Sequence, residues 1–174
     1  MYSGYMDFFD AVEKRRTIRA YQKKDLDGEL LRKVIGAVNL APSANNLQSY
    51  EIFVVVDDSK KRILLEGSSA DESIADASAL MLFCANPNRC KVPVPELANL
   101  LSIEDTTIAA AYAQLAAAAL GLATSWISVV SKNSLEKLGI PNDLVPVTII
   151  PLGYAAESPP KKQRRGINNI MHVL

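Results

Sequence analysis

Ala41-Pro42-Ser43-Ala44-Asn45-Asn46-Leu47-Gln48-Ser49-Tyr50 joins an amphipathic segment to an unbroken apolar run, and the rest of the chain is arranged around that junction. Pro42 lacks a backbone N–H and cannot continue a helix, so the periodic segment before it stops here. Ser43, Asn45, Asn46 and Gln48 then place four hydrogen-bonding side chains within six residues, a set suited to a ligand rich in amides and carbonyls. Loops of Pro, Ser and Asn also end helices with no further role, so the function of this one depends on its neighbours.

Before the loop, Leu26, Leu30, Leu31, Val34, Ile35, Val38 and Leu40 recur at helical spacing, entered through Asp25 or Asp27 as N-cap. After it, Ile52, Phe53, Val54, Val55 and Val56 run without alternation to Asp57 and Asp58. Such a run predicts a strand covered on both faces, in the interior of a layered domain. A short helix over Ser59 to Gly67 and a second buried strand over Leu80 to Phe83 follow. Upstream, Asp7 to Arg15 reads as a helix with Phe8, Phe9 and Val12 on one face.

Downstream, Pro87, Pro93 and Pro95 punctuate Asn86 to Leu101, and residues 85–104 read equally as a mobile cover near a site or as an idle surface excursion. Ser102-Ile103-Glu104-Asp105 resembles a capping box opening a long Ala-rich helix from about Glu104 to Leu120. Its small side chains allow close approach of another backbone, which places it mid-fold or against a second subunit. Ala123 to Val130 reads as a strand, Ser134 to Leu138 as a short helix, and Val147 to Leu152 as a strand interrupted by Pro151. The elements describe an α+β chain forming one domain over residues 1–174, with 159–174 as a C-terminal arm.

Balanced charge, 19 basic against 19 acidic residues, argues against a diffuse grip on nucleic acid or an anionic membrane. Residues 106–131 carry no charge over 26 positions, long enough to cross a bilayer. Nine of the 26 are alanine, which transfers weakly, Gln114 interrupts the run, and the pattern after Gly121 changes to that of a strand, so a membrane span is rejected. Cys84, Cys90 and His172 make no familiar zinc set, and no metal is expected. Two cysteines and a start, Met1 to Gly4, without signal-peptide character point to a reducing cytoplasm.

Any anion binding must therefore come from local clusters. Lys14-Arg15-Arg16-Thr17-Ile18-Arg19 concentrates four cations and a hydroxyl in six residues, able to hold a phosphate by charge-assisted hydrogen bonds. The same residues would also complement the dipole at a helix end. A second cluster, Lys161, Lys162, Arg164 and Arg165, lies in the tail before the apolar Ile167, Ile170, Met171 and Val173.

Pro42-Ser43-x-x-Asn46-x-Gln48 resembles the flavin-contacting loop of the nitroreductase family, with Ser49-Tyr50 where Pro-Trp is usual. Arg15-Arg16-Thr17-x-Arg19 resembles the family's Arg-Arg-Ser-x-Arg opening, and Asp105 to Leu122 its long central helix. Thr124 to Ser128 resembles the turn after that helix, Gly153-Tyr154 its Gly-Tyr-Pro without the proline, and Lys162-x-Arg164 its C-terminal basic pair. The resemblance implies a three-layer nitroreductase-like fold, a mixed central sheet flanked by helices, in a domain-intertwined homodimer with two FMN sites at its interface. By the family pattern, Arg15, Arg16, Thr17, Arg19, Lys162 and Arg164 would surround the phosphate and ribityl chain. Pro42, Ser43, Asn46 and Gln48 would reach the flavin from the partner subunit, and Trp126, Ile127 and Ser128 would line the ring, partly through backbone groups. The implied activity is hydride transfer from NAD(P)H via FMN to a nitroaromatic, quinone or similar acceptor by a ping-pong mechanism, with no catalytic side chain required. A flavin-dependent dehalogenase, a flavin-fragmenting enzyme or a non-catalytic flavin-binding dimer are the alternatives.

Overall fold

The computed structural model describes residues 6–66, 68, 70, 72–128 and 130–174. Met1 to Gly4, Gly67 at the expected helix end and Val129 in the expected strand lie outside them. Helix α1 (Phe8–Lys14) begins where the Asp7 carboxylate accepts the Phe9 N–H at 2.9 Å. Strand β1 (Tyr21–Gln22) leads to helix α2 (Gly28–Asn39), which Asp27 caps through the Glu29 N–H at 2.8 Å. Strand β2 (Tyr50–Val55) follows the Ala41 loop, and Asp57 caps helix α3 (Asp58–Leu65) through the Lys60 N–H. The remaining elements are β3 (Ala79–Ala85), α4 (Pro95–Ala119), β4 (Ala123–Thr124), α5 (Lys132–Lys137) and β5 (Val145–Ala155).

The strands form one sheet in the order β1-β5-β3-β2, with β4 also paired to β5. Every pair of these strands is antiparallel. Among the described residues the single parallel pairing is the bridge Thr17–Thr124, so the expected mixed character of the sheet rests on it alone. Strand β3 is buried along its whole length and alternates between two cores. Leu80, Leu82 and Cys84 face a core with Leu64, Leu135 and Ile149, while Met81 and Phe83 face one with Val34, Val38, Ala110 and Ile150. The sheet is thereby the middle of three layers, with α3 and α5 on one side and α2 and α4 on the other.

Three sequence expectations change. Strand β2 lies at an edge of the sheet rather than inside it, with Val54 and Val56 exposed. Its apolar run is explained by contact with both cores, Phe53 and Val55 on one face and Tyr50 and Ile52 on the other, while its outer edge meets no strand among the described residues. Helix α4 starts at Pro95, not near Glu104, because proline at the first helical position is preorganised for a helix and needs no N–H. Ser102 sits inside it, fully buried, its hydroxyl donating to the Asn99 carbonyl at 2.9 Å instead of capping an end. Residues 95–104 are thus helical, leaving 86–94 as the irregular part of the expected cover. Strand β5 passes through Pro151 to Ala155, since Ile150 and Leu152 on either side carry the pairing.

Two glycines set the geometry around β4. Gly121 (φ 73°) ends α4 with its N–H on the Ala118 carbonyl and the Leu122 N–H on that of Ala117, a Schellman closure that turns the chain back into the sheet. At Gly153 a Cβ would stand 2.9 Å from the Ser78 nitrogen and 3.3 Å from the Tyr21 ring. Only glycine lets β5 run this close to its neighbours.

Candidate functional site

The sheet brings the two basic clusters together. Pairing of Tyr21 with Ala155 and of Gln22 with Tyr154 sets the segment after α1 beside the segment after β5. The Ile18 N–H donates to the Thr124 carbonyl at 3.0 Å, and the Glu157 carboxylate accepts from the backbone N–H groups of Arg19 and Ala20. Those two amides hold the Glu157 carboxyl below its usual range. An ion pair of 3.0 Å between Lys161 and Glu13 ties the start of the tail to α1.

Between these segments opens a cleft of about 820 Å³ lined by Phe9, Val12, Glu13, Arg15, Arg16, Thr17, Arg19 and Pro159 to Arg164. Its walls carry the cations Arg15, Arg16, Arg19, Lys161, Lys162 and Arg164 against the single carboxylate of Glu13, itself engaged by Lys161. The volume suits a small-molecule ligand. Burial, then the like charges of Arg164 and Arg16, lower the pKa of Arg15. Arg15, Lys162 and Arg164 take part in no ion pair among the described residues. A dianion placed here would relieve that repulsion, so the donor set fits the phosphate end of FMN. Arg16 is more committed, donating to the carbonyls of Glu13 at 2.6 Å and Arg15 at 2.9 Å.

The Ala41 loop does not line this cleft within one protomer. It is a taut turn with three residues in the left-handed region, Asn45, Asn46 and Gln48. Ser43 Oγ accepts the Gln48 N–H at 3.0 Å, and Gln48 Nε2 donates to the Asn39 carbonyl at 3.3 Å. Pro42, Asn45 and Asn46 are exposed.

Trp126, Ile127 and Ser128 likewise line none of the cleft, although they follow Thr124, which the Arg15–Arg19 segment grips. Ile127 is buried, and its N–H and C=O both pair with Ile149, at 3.1 and 2.9 Å. The indole N–H of Trp126 donates to the Ser128 hydroxyl at 3.1 Å, so these two side chains form the outward part of the trio. The sequence missed Glu157, which fastens Arg19 and Ala20, and Asp105, whose carboxylate grips the Ala41 loop. Neither has a local signal, since each acts on residues distant in the chain.

The three-layer α+β domain thus presents a cationic cleft whose donor set could accept an anionic small molecule. A model described as the Nitroreductase family matches residues 12–84 and 66–154. The FMN reductase (NAD(P)H) of Bacillus subtilis is 31% identical over 169 residues, covering 88% of this chain and 68% of that one. The oxygen-insensitive NADPH nitroreductase of Salmonella typhimurium is 26% identical over 166 residues, covering 90% of this chain and 69% of its own. A structure from Exiguobacterium sibiricum solved in complex with FMN has the same fold, with a TM-score of 0.88 at 20% identity over 97% of this chain and 98% of that one. The chain belongs to the nitroreductase family.

Proposed function

We propose that the protein is an FMN-dependent NAD(P)H oxidoreductase that reduces a nitroaromatic, quinone or similar acceptor by a ping-pong mechanism. The observation that carries this is the convergence of Arg15, Arg16 and Arg19 with Lys162 and Arg164 on one cleft. Arg15, Lys162 and Arg164 would hold the phosphate, with the Thr17 hydroxyl and Arg16 and Arg19 beside it toward the ribityl chain. Glu157 and the Lys161–Glu13 pair keep the two cationic segments in place. FMN held there would supply the hydride chemistry between nicotinamide and acceptor, so no side chain need act as acid or base.

The active form we propose is a homodimer in which Pro42, Ser43, Asn46 and Gln48 of one copy complete the site of the other. Support comes from apolar side chains that one protomer leaves exposed: Phe8 and Phe9 on α1, Leu100 and Tyr112 on α4, and Ile167, Ile170, Met171 and Val173 in the tail. Among the described residues no tail side chain belongs to either core, so we assign residues 159–174 as an arm onto the second copy. By the family pattern we assign Trp126, Ile127 and Ser128 to the surroundings of the ring. We assign the enzyme to the cytoplasm: both cysteines are free, and among the described residues no helix is long and apolar enough to cross a membrane.

Purified protein mixed with FMN should retain a yellow, stoichiometric flavin after gel filtration and elute as a dimer. Anaerobic NADH or NADPH should bleach it, and a quinone should restore the colour. Absence of FMN binding at micromolar concentrations would sink the enzyme assignment. A bound flavin that neither donor bleaches would replace it with non-catalytic flavin binding.

A further inference from the structure

The Ala41 loop owes its shape to a residue outside it. Asn45, Asn46 and Gln48 adopt φ of 48°, 57° and 49°, a region that side chains other than glycine enter only when their surroundings hold them there. Asp105, just before the midpoint of α4, is 2% exposed. One of its carboxylate oxygens accepts the Ala44 N–H at 2.8 Å and the other the Ser49 N–H at 3.3 Å. Residues 44 and 49 bracket all three left-handed positions, so a single side chain clamps both ends of the strained stretch.

Nothing else accounts for a carboxylate at this depth. No cation pairs with Asp105 among the described residues, and a buried carboxylate without compensation is costly. The loop's own amides supply that compensation. The Ser49 side chain does not share the load: its hydroxyl is buried without a hydrogen-bond partner among the described residues, so position 49 contributes through its backbone. Ala109, Ala110 and Ala113, one and two turns along α4, are fully buried against the sheet, which makes the helix a rigid mount for the clamp.

We infer that Asp105 is a positioning residue, which fixes the angle at which Asn46 and Gln48 are offered to the flavin of the partner site. This rests on the proposed flavin function, and it locates ring recognition in a contact between helix and loop that is separate from the cationic cleft.

Asp105→Ala and Asp105→Asn are compared with the unaltered dimer for binding of FMN and of riboflavin, which lacks the phosphate. For Asp105→Ala the dissociation constants of both flavins should rise by a common factor of about 10 to 100, the loss expected for hydrogen bonds to a charged group. Asp105→Asn restores one carbonyl acceptor and should recover part of the loss; it also carries the comparison if the alanine variant does not fold. Unchanged affinities, or a loss confined to FMN, would overturn the inference, the latter by moving the effect to the phosphate. Amide hydrogen exchange of the flavin-free protein gives a readout independent of turnover. The Ala44 and Ser49 amides should be protected in the unaltered protein, both should lose protection in Asp105→Ala and one of them in Asp105→Asn, whereas equal protection in the variants refutes the clamp. If the unaltered protein binds neither flavin, the proposed function fails while the exchange experiment still decides the clamp.

Discussion

Replacing Arg15 by glutamine should move flavin affinity and protein stability in different directions. The guanidinium is half-buried beside Arg16 and Arg164, donates to no acceptor among the described residues, and has its pKa lowered by burial and by those two like charges. In the flavin-free protein its charge is therefore a source of repulsion. Because the group is only half-buried, solvent screens most of that repulsion, and Arg15→Gln should leave unfolding stability unchanged or raised by no more than about 0.5 kcal/mol. With FMN bound, the same substitution removes a charge-assisted contact of roughly 1.5–3 kcal/mol, a rise in the FMN dissociation constant of about 10- to 150-fold. Riboflavin offers no phosphate, so its affinity should change by less than about threefold. Fluorescence titration with both flavins at low salt, together with urea unfolding of the flavin-free protein, measures all three quantities. Equal losses for the two flavins, or an FMN affinity that does not move, would refute the assignment of this cleft to the phosphate.

The Glu157 carboxyl is held below its ordinary value of 4.5 by the Arg19 and Ala20 amides, so its contribution to stability is present above that value and lost as pH falls through the depressed one. Urea midpoints of the unaltered protein and Glu157→Gln should differ at pH 7 and converge as pH falls through the depressed value; a gap that persists in strong acid would show that the carboxylate charge is not responsible. Gly153→Ala forces a Cβ to within 2.9 Å of the Ser78 backbone and should destabilise by roughly 1–3 kcal/mol, seen as a lower melting temperature with an unchanged far-ultraviolet spectrum. Phe83→Ala empties a fully buried position in β3 and should cost about 3–5 kcal/mol; a loss under about 1 kcal/mol by urea unfolding would contradict its place in the core.

How much could be read without coordinates depended on the range of the interactions involved. Helix α2 and its Asp27 cap were legible because a 3.6-residue period and a capping carboxylate act over a few positions. Strand β3 was legible because burial on both faces leaves only apolar residues. The same rule misplaced β2, since composition records whether faces are covered but not whether an edge is paired. The start of α4 was misread because Ser-x-x-Asp has the form of a capping box wherever it occurs, and only the backbone shows that Ser102 lies inside a helix already begun at Pro95.

The sequence by itself determined the layered α+β class, the polar loop after α2 and the two sets of cations, because periodicity, turn chemistry and charge are properties of neighbouring residues. It could not determine that those cations share one cleft. That required β1 to pair with β5, bringing Arg19 against Glu157 across 138 positions. Nor could it show Asp105 reaching from α4 to amides 61 and 56 positions away. Contacts over such separations form only when strand register and helix packing are fixed together, so they belong to the tertiary structure and leave no local mark in the chain.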